Sequence, residues 1–435
     1  MTTTTLAIIV LIGGFFGLLM IRVPISFAML LSTLATALIT GTNLTVIVQQ
    51  MISGVNNFSL LAIPFFILMG EFMSEGGISE KIVDFATLIV GRFRGGLAYV
   101  NCLDSMFFGG ISGSAVADVS SLGSVVVPMM VKQGYTPDFS VGLTVTTACQ
   151  GLLIPPSHNM VIYALAAGGG VTIGSLFMAG AVPGMLLGFS MLLFCFFMRK
   201  HYNFPMGTRI PRDQWLKIIL NAILPLFTIV IIMVGVAAGV FTATESAAIA
   251  CVYAFILTYF VFRSAKFRNI GQVFKRTLKT LAIVLTLIAV AKAFAYMMVE
   301  LRVPDMLTNF LVGVTSNKYV LLLIINLMLL LLGCFMDMAP LIMIMTPILL
   351  PVVTSPAIGL SPIHFGIIMI FNLAIGLCTP PVGSALYVGC AVGKTPIERT
   401  SYHMLPMYAV MIVALMLVTF IPSISMWLPT MLGMA

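Results

Sequence analysis

Long apolar runs alternate with short polar connections. The runs predict membrane-spanning helices at about 6–21, 25–40, 59–74, 138–165, 176–198, 218–240, 244–262, 281–300, 363–391 and 403–427. Two further apolar stretches, 97–131 and 319–353, are interrupted. In the first, Gly109, Gly110, Ser112, Gly113 and Ser114 sit in the middle, and Pro128 lies near the end. Each arm would be about 18–25 Å long as helix, against about 30 Å of hydrocarbon. The pattern predicts a helical hairpin that enters from one face, turns near mid-depth and leaves by the same face. A kinked, tightly packed helix is the other reading, since Gly and Ser also favour helix–helix contact. Irregular backbone at that depth survives only where protein or a polar cavity satisfies it. The polar tip is therefore a candidate solute or ion site. Segment 76–91 is weakly apolar and reads as an arm near the surface; 41–58 reads as a connecting loop.

Composition sets the class. The 435 residues are 60% hydrophobic and only 8% charged, with a mean hydropathy of +1.15, which predicts a polytopic all-α membrane protein. The net charge of +8 comes without a long basic run interleaved with aromatics, so nucleic acid is not an expected partner. Cysteines 102, 149, 195, 251, 334, 378 and 390 all fall in apolar segments without a CxxC, and read as small packing residues. The apolar run at 6–21 is followed, not preceded, by its charge at Arg22. It is expected to be a retained helix rather than a cleaved signal.

Basic residues orient the spans. Arg22, the cluster from Arg199 to Lys217, and the cluster from Arg263 to Lys279 are expected on the cytoplasmic side. The connections 41–58 and 239–244 hold no Lys or Arg and are expected outside, as are both termini. Arg92, Arg94 and Lys132 then place the mouth of the first hairpin inside; the second opens outside.

An internal repeat agrees. A shift of 225 residues lays Gly151-Leu-Leu-Ile-Pro155-Pro156 on Gly376-Leu-Cys-Thr-Pro380-Pro381, Pro137 on Pro362, and 97–131 on 322–356. The expected organisation is a first repeat over 1–198, with hairpin 97–131 and broken helix 138–165. A cytoplasmic linker, 199–217, follows. The second repeat covers 218–435, with hairpin 319–353 and broken helix 363–391. Two such repeats of opposite orientation are a recurring plan of secondary transporters.

Paired prolines break a helix, because proline lacks the N–H and clashes with the preceding turn. Each break frees carbonyls on one side and N–H groups on the other. Carbonyls suit a small cation and N–H groups suit a carboxylate. Candidate Na⁺ ligands are the backbone and side-chain oxygens at Gly110, Ser112, Gly113, Ser114, Asp337, Met338, Gly376 and Thr379, since hard cations take oxygen. Candidate substrate contacts are Ser157, His158, Asn159, Gly383 and Ser384, which follow the breaks. Asp337 sits at the second tip, where an ionisable group is a functional candidate. Asp104 is expected to pair with a neighbour. Asp118 is open between pairing and an ion site. Lys292 is open between an acid partner, the substrate and snorkelling. Glu71 and Glu245 read as structural. No HExxH or GxSxG is present, and Gly389–Thr395 is one residue short of a phosphate loop and follows a membrane helix. No enzyme is expected, and no cofactor beyond coupling ions.

Several segments carry a family resemblance: GGISGSAVADVSSLGSVVVPMM at the hairpin, LLAIPFFILMGEFM (60–73), GLLIPPSHNMVIY (151–163), LFMAGAVPG (176–184), GVFTATESAA (239–248) and GLCTPPVG (376–383). With them the chain resembles the large membrane subunit of TRAP (tripartite ATP-independent periplasmic) transporters, the DctM family. The resemblance implies a Na⁺-driven importer of C4-dicarboxylates, sialic acid or sugar acids in the bacterial inner membrane, working by an elevator motion. It implies two partners, a small four-helix DctQ-type membrane subunit on a separate polypeptide and a DctP-type periplasmic binding protein. The family's ion-binding regions match Gly110–Ser114, Asp337–Pro340 and the segments around Pro155 and Pro380. The alternative is a stand-alone Na⁺-coupled dicarboxylate carrier or antiporter of related architecture.

Overall fold

The computed structural model describes residues 3–207, 209–315, 317–356 and 358–434, without the side chains of 311, 312 and 314. Position 208, within the expected linker, lies outside the described residues. Among the described residues the regular structure is helical throughout. Nine helical segments among the described residues are long and apolar enough to cross a membrane.

Both hairpins form. In the first, Gly96–Ser112 and Ala115–Lys132 pack against each other across a turn at Gly113-Ser114. In the second, Lys318–Phe335 and Met338–Thr354 meet at Met336-Asp337. Both broken helices form as well. Pro137–Ala148 runs through a tight turn, Cys149–Leu152, to the break, and His158–Ala166 resumes. Pro362–Gly376 ends at its break, and Ser384–Gly393 resumes. The peptide bonds Pro155-Pro156 and Pro380-Pro381 are both cis.

These elements make the centre of the molecule. Every residue from Pro362's neighbour Ile363 to Gly376 is buried, as is every residue from Asp138 to Leu152. The two broken helices cross antiparallel. The Cys149 thiol donates to the Ala374 carbonyl at 3.1 Å, the Cys378 thiol to the Val145 carbonyl at 3.4 Å, and the Tyr163 hydroxyl to the Pro362 carbonyl at 2.7 Å. As one partner's number rises the other's falls, so the repeats run in opposite directions. The halves also exchange contacts: Ala115–Lys132 packs on Ser384–Gly393, and His158–Ala166 packs on Met338–Thr354.

The same frame holds each hairpin to its broken helix. Thr147 donates to Asn101 Oδ1 at 3.1 Å, and Asn372 donates to Asn326 Oδ1 at 2.9 Å. These are the same two positions of each repeat. The backbones touch at Gly109 and Gly151, and again at Gly333 and Gly376. A Cβ on Gly151 would lie 2.5 Å from Gly109 Cα, and one on Gly376 would lie 2.7 Å from Gly333 Cα. Interhelical small residues allow this approach, which no larger residue permits.

Outer helices wrap the centre. Ile25–Thr40, Trp215–Ala237 and Ile270–Glu300 leave apolar faces uncovered, as lipid-facing helices do. Arg276 ties Ile270–Glu300 to Ala62–Glu75 through Glu71 and Glu75, each at 2.7 Å. The connection after Arg199 docks on the first hairpin, where Phe204 is buried and its carbonyl accepts from Arg94 Nε at 3.0 Å.

Several expectations need correction. The connection 41–58 contains a helix, Leu44–Val55, started by the Asn43 side chain. A second short helix, Val303–Val314, fills the interval before the second hairpin. The span expected to start at 281 starts at Ile270, so Lys275, Arg276 and Lys279 belong to the helix itself. The last span is two helices, Ile397–Phe420 and Ser423–Met431, parted at Ile421-Pro422. Each miss has one cause: helices shorter than a bilayer, or polar turns of long ones, leave no full-length apolar run.

Candidate functional site

Each hairpin tip is seated on the break of its own repeat. Gly113 adopts φ +61, a left-handed conformation that glycine takes without strain, and its N–H caps the first arm at the Gly109 carbonyl, 2.9 Å away. A Cβ there would lie 2.7 Å from the Pro156 carbonyl oxygen. Only glycine fits between the turn and the break. Ser114 is extended and begins the second arm, accepting from the Ala117 N–H. In the second repeat the Val382 N–H donates to the Cys334 carbonyl at 3.0 Å, joining break to hairpin directly.

The tips therefore reach the breaks within the broken helices, after Leu152 in the first and after Gly376 in the second. That is the geometry of a re-entrant hairpin and excludes the reading of one kinked helix.

At the first tip the Ser112 hydroxyl donates to Asp118 Oδ1 and accepts from the Ser114 N–H. Asp118 is 1% exposed, and its Oδ2 has no hydrogen-bond partner. A Cβ on Gly151 would lie 2.9 Å from that oxygen, so the carboxylate sits at the glycine crossing, directly behind the turn. Its open status resolves in part: it pairs with Ser112 and with no cation among the described residues. Gly110 is held against Ile154 and the Pro155 carbonyl. Asp104 corrects an expectation. It is fully buried, and neither carboxylate oxygen has a hydrogen-bond partner or cation among the described residues. Nothing in local spacing could have shown this, because its surroundings come from other helices.

At the second tip Asp337 is extended, exposed, and starts Met338–Thr354 by accepting from the Met338 N–H at 3.0 Å. Ser384 reaches the same oxygen at 3.5 Å. Thr379 donates back to the Ile375 carbonyl at 2.7 Å, which leaves its oxygen free to accept. Gly376 is spent on the crossing with Gly333, and its carbonyl takes the Thr379 N–H. Gly383 has φ +32 and brings Ser384 to the start of Ser384–Gly393.

After the first break, Ser157 is fully buried with an unpartnered hydroxyl. Asn159 is buried too, whereas His158 is half-buried. The Ser157 group lies against Gly113, and Ser384 against Asp337. The structure thus brings the proposed contacts together in two clusters, one per repeat. Glu71 pairs with Arg276, and Glu245 accepts from the Thr242 N–H and hydroxyl at the start of Ala243–Ile256. Both are structural, as their positions suggested. Six of the seven cysteines are buried and Cys334 is half-buried, as packing residues are.

Two hairpins seated on two antiparallel broken helices make the centre of the molecule, and the sequence carrying them decides the family. Residues 12–424 match the family described as tripartite ATP-independent periplasmic transporter, DctM component. The chain belongs to the DctM family. It is therefore a transporter permease and no enzyme. It is similar to the uncharacterized protein YgiK of Salmonella typhimurium, 40% identical over 98% of this chain and 97% of that one. The sialic acid TRAP transporter large permease SiaM of Vibrio cholerae is 37% identical, covering 96% of this chain and 97% of its own length. The C4-dicarboxylate TRAP transporter large permease DctM of Rhodobacter capsulatus is 34% identical, with 98% and 99% covered. Among solved structures, the YdaH transporter of Alcanivorax borkumensis superposes with a TM-score of 0.61 over 87% of each chain, at 15% identity. That likeness concerns the fold, described there as an unusual topology. The DctM chain is thus a multi-pass membrane protein built on a transporter fold.

Proposed function

We propose that this chain is the large membrane subunit of a Na⁺-driven, binding-protein-dependent importer of organic acids in the bacterial inner membrane. The observation that carries this reading is the seating of each hairpin tip on a Pro-Pro break. A helix break turns carbonyls to one side and N–H groups to the other, as a cation and a carboxylate together require. Ser112, Ser114, Asp337, Met338, Thr379 and the carbonyls around Gly110, Gly113 and Gly376 hold Na⁺. Ser157, His158, Asn159, Gly383 and Ser384 meet the organic acid. Relatives named for sialic acid and C4-dicarboxylates support a carboxylate-bearing substrate.

The partners are a small DctQ-type membrane subunit and a DctP-type binding protein that delivers the solute on the periplasmic side. Hairpins and broken helices move together as an elevator past the outer helices, with both termini periplasmic. The mutual packing of the four central elements supports a unit that moves as one. The domain boundaries at 198 and 218 follow the same reading. Reconstitution into vesicles tests it. Sialic acid or succinate uptake should require an inward Na⁺ gradient, the small subunit and the loaded binding protein. Uptake by this chain alone, or equal uptake without Na⁺, would refute it.

A further inference from the structure

A cavity of about 990 Å³ opens among the connections between helices, and its wall reaches the second hairpin. Three connections far apart in sequence line it, near 53–59, 164–174 and 236–244, and Met343 of the second hairpin forms part of its wall. None of those connections holds a Lys or Arg, which puts them outside the cell. Small polar side chains such as Asn57, Thr172 and Thr242 share the lining with apolar ones such as Phe58, Val236 and Phe241.

Lys292 is the one charged side chain among the described lining residues. It is exposed, on Ile270–Glu300, and forms no ion pair with any described residue. Its stem is held in place: a Cβ on Gly54 would lie 2.8 Å from Lys292 Cβ. The hydroxyls of Thr172 and Thr242 are committed to capping their own helices, and Glu245 is committed to Thr242. Among the described lining residues the uncommitted side-chain charge is therefore positive and single. An ionisable side chain on a spanning helix that faces an open cavity marks a candidate solute pathway.

We propose that this cavity is a waiting site for the transported organic acid, whose carboxylate Lys292 holds before the solute passes to the hairpins. The site rests on the importer reading above and adds a residue and a place to it. A cleft lined by one sign of charge raises the local concentration of a counter-ion ligand, and its capture rate, by about 10-fold or more.

The test uses the complete three-component assembly in phosphatidylcholine vesicles. Sialic acid and succinate are the probes, and the one that the wild type takes up is carried forward. Lys292→Gln should raise the KM about 10-fold with kcat and subunit co-purification unchanged, and Lys292→Arg should restore most of the loss. Wild-type uptake should fall as ionic strength rises, and the Gln variant should lose that dependence. An unchanged KM in K292Q would overturn the proposal. So would an effect that appears only when anionic lipid is added, which would assign Lys292 to a headgroup.

A second arm needs no transport. Ser53 lines the same cavity and is exposed. A cysteine introduced there (S53C) should react faster with a sulfonate-bearing thiosulfonate reagent than with an ammonium-bearing one. Adding K292Q should shift that ratio about 10-fold, and succinate should slow the reaction. An identical ratio with and without Lys292 refutes the site. Failure of the wild type to take up either probe counts against the importer reading alone.

Discussion

Behind the turn of the first hairpin lies a buried carboxylate, Asp118; in front of the turn of the second lies an exposed one, Asp337. The frames around them are equivalent. Both hairpins cross their broken helix at a pair of glycines, and both are tied to it by Asn101–Thr147 or Asn326–Asn372. The two halves therefore share the structure that makes a break possible and differ in the chemistry placed there. In the first half the carboxylate points inward, one oxygen held by Ser112 and the other buried without a partner. In the second the carboxylate spends one oxygen on a helix start and remains open to solvent. A site assembled from both halves would have one preorganised wall and one accessible wall, which suits a cation that must enter, be held and leave.

The largest expected difference concerns the crossings. A Cβ on Gly109 would sit 2.3 Å from Gly151 Cα, backbone that cannot give way, whereas one on Gly333 would sit 3.3 Å from Gly376 Cα. Gly109→Ala should cost about 3 kcal/mol, and Gly333→Ala under about 1 kcal/mol. Thermal unfolding midpoints of the detergent-purified variants measure this. Equal losses would show that the halves are closed equally tightly.

The serines come next. Ser112→Ala deprives the buried Asp118 of its only side-chain hydrogen bond among the described residues, at a cost of about 2 kcal/mol. Ser384→Ala removes only a 3.5 Å contact to an exposed carboxylate and should stay within about 0.5 kcal/mol. Stability loss in the second variant and none in the first would reverse the assignment of buried and open walls.

Ion coupling sharpens the same contrast. Asp337→Asn should weaken the Na⁺ activation of uptake about 10-fold while leaving the unfolding midpoint nearly unmoved, because the residue is exposed and its remaining oxygen still starts the helix. Ser114→Ala should weaken Na⁺ activation less, since the Ser114 hydroxyl oxygen is already engaged by the Ala117 N–H. Unchanged Na⁺ activation in both would remove the tips from the ion site.

The hairpins, the breaks and the repeat were legible in the sequence because Gly and Pro act locally. Gly113 and the Pro155-Pro156 pair dictate backbone wherever they stand. The reversal of direction was legible through the basic clusters that flank the spans. The solitude of Asp104 and the inward turn of Asp118 were not. Both depend on which helices pack alongside, information spread over 97–166. The cavity around Lys292 is the extreme case, since its walls come from connections nearly two hundred residues apart. The helix Leu44–Val55 escaped for a simpler reason: a short helix with Gln49 and Gln50 on it has neither the length nor the apolarity that announces a span.

The smallest expected effect separates frame from chemistry. Thr147 makes one hydrogen bond to Asn101, which keeps a second partner in Thr144 at 2.7 Å. Asn372 makes two to Asn326, one to the carbonyl and one to Oδ1, both at 2.9 Å. Interhelical hydrogen bonds in membranes average about 0.6 kcal/mol. Thr147→Val should therefore cost about 0.5 kcal/mol and Asn372→Leu about 1 kcal/mol. The Asn372 amide oxygen is buried without a partner, so its removal offsets part of the loss. Adding Asn326→Leu removes the orphan that the single change leaves, and the double variant should be more stable than N372L alone. If it is less stable, the two asparagines set the register of the second hairpin, and the halves differ in frame as well as in chemistry.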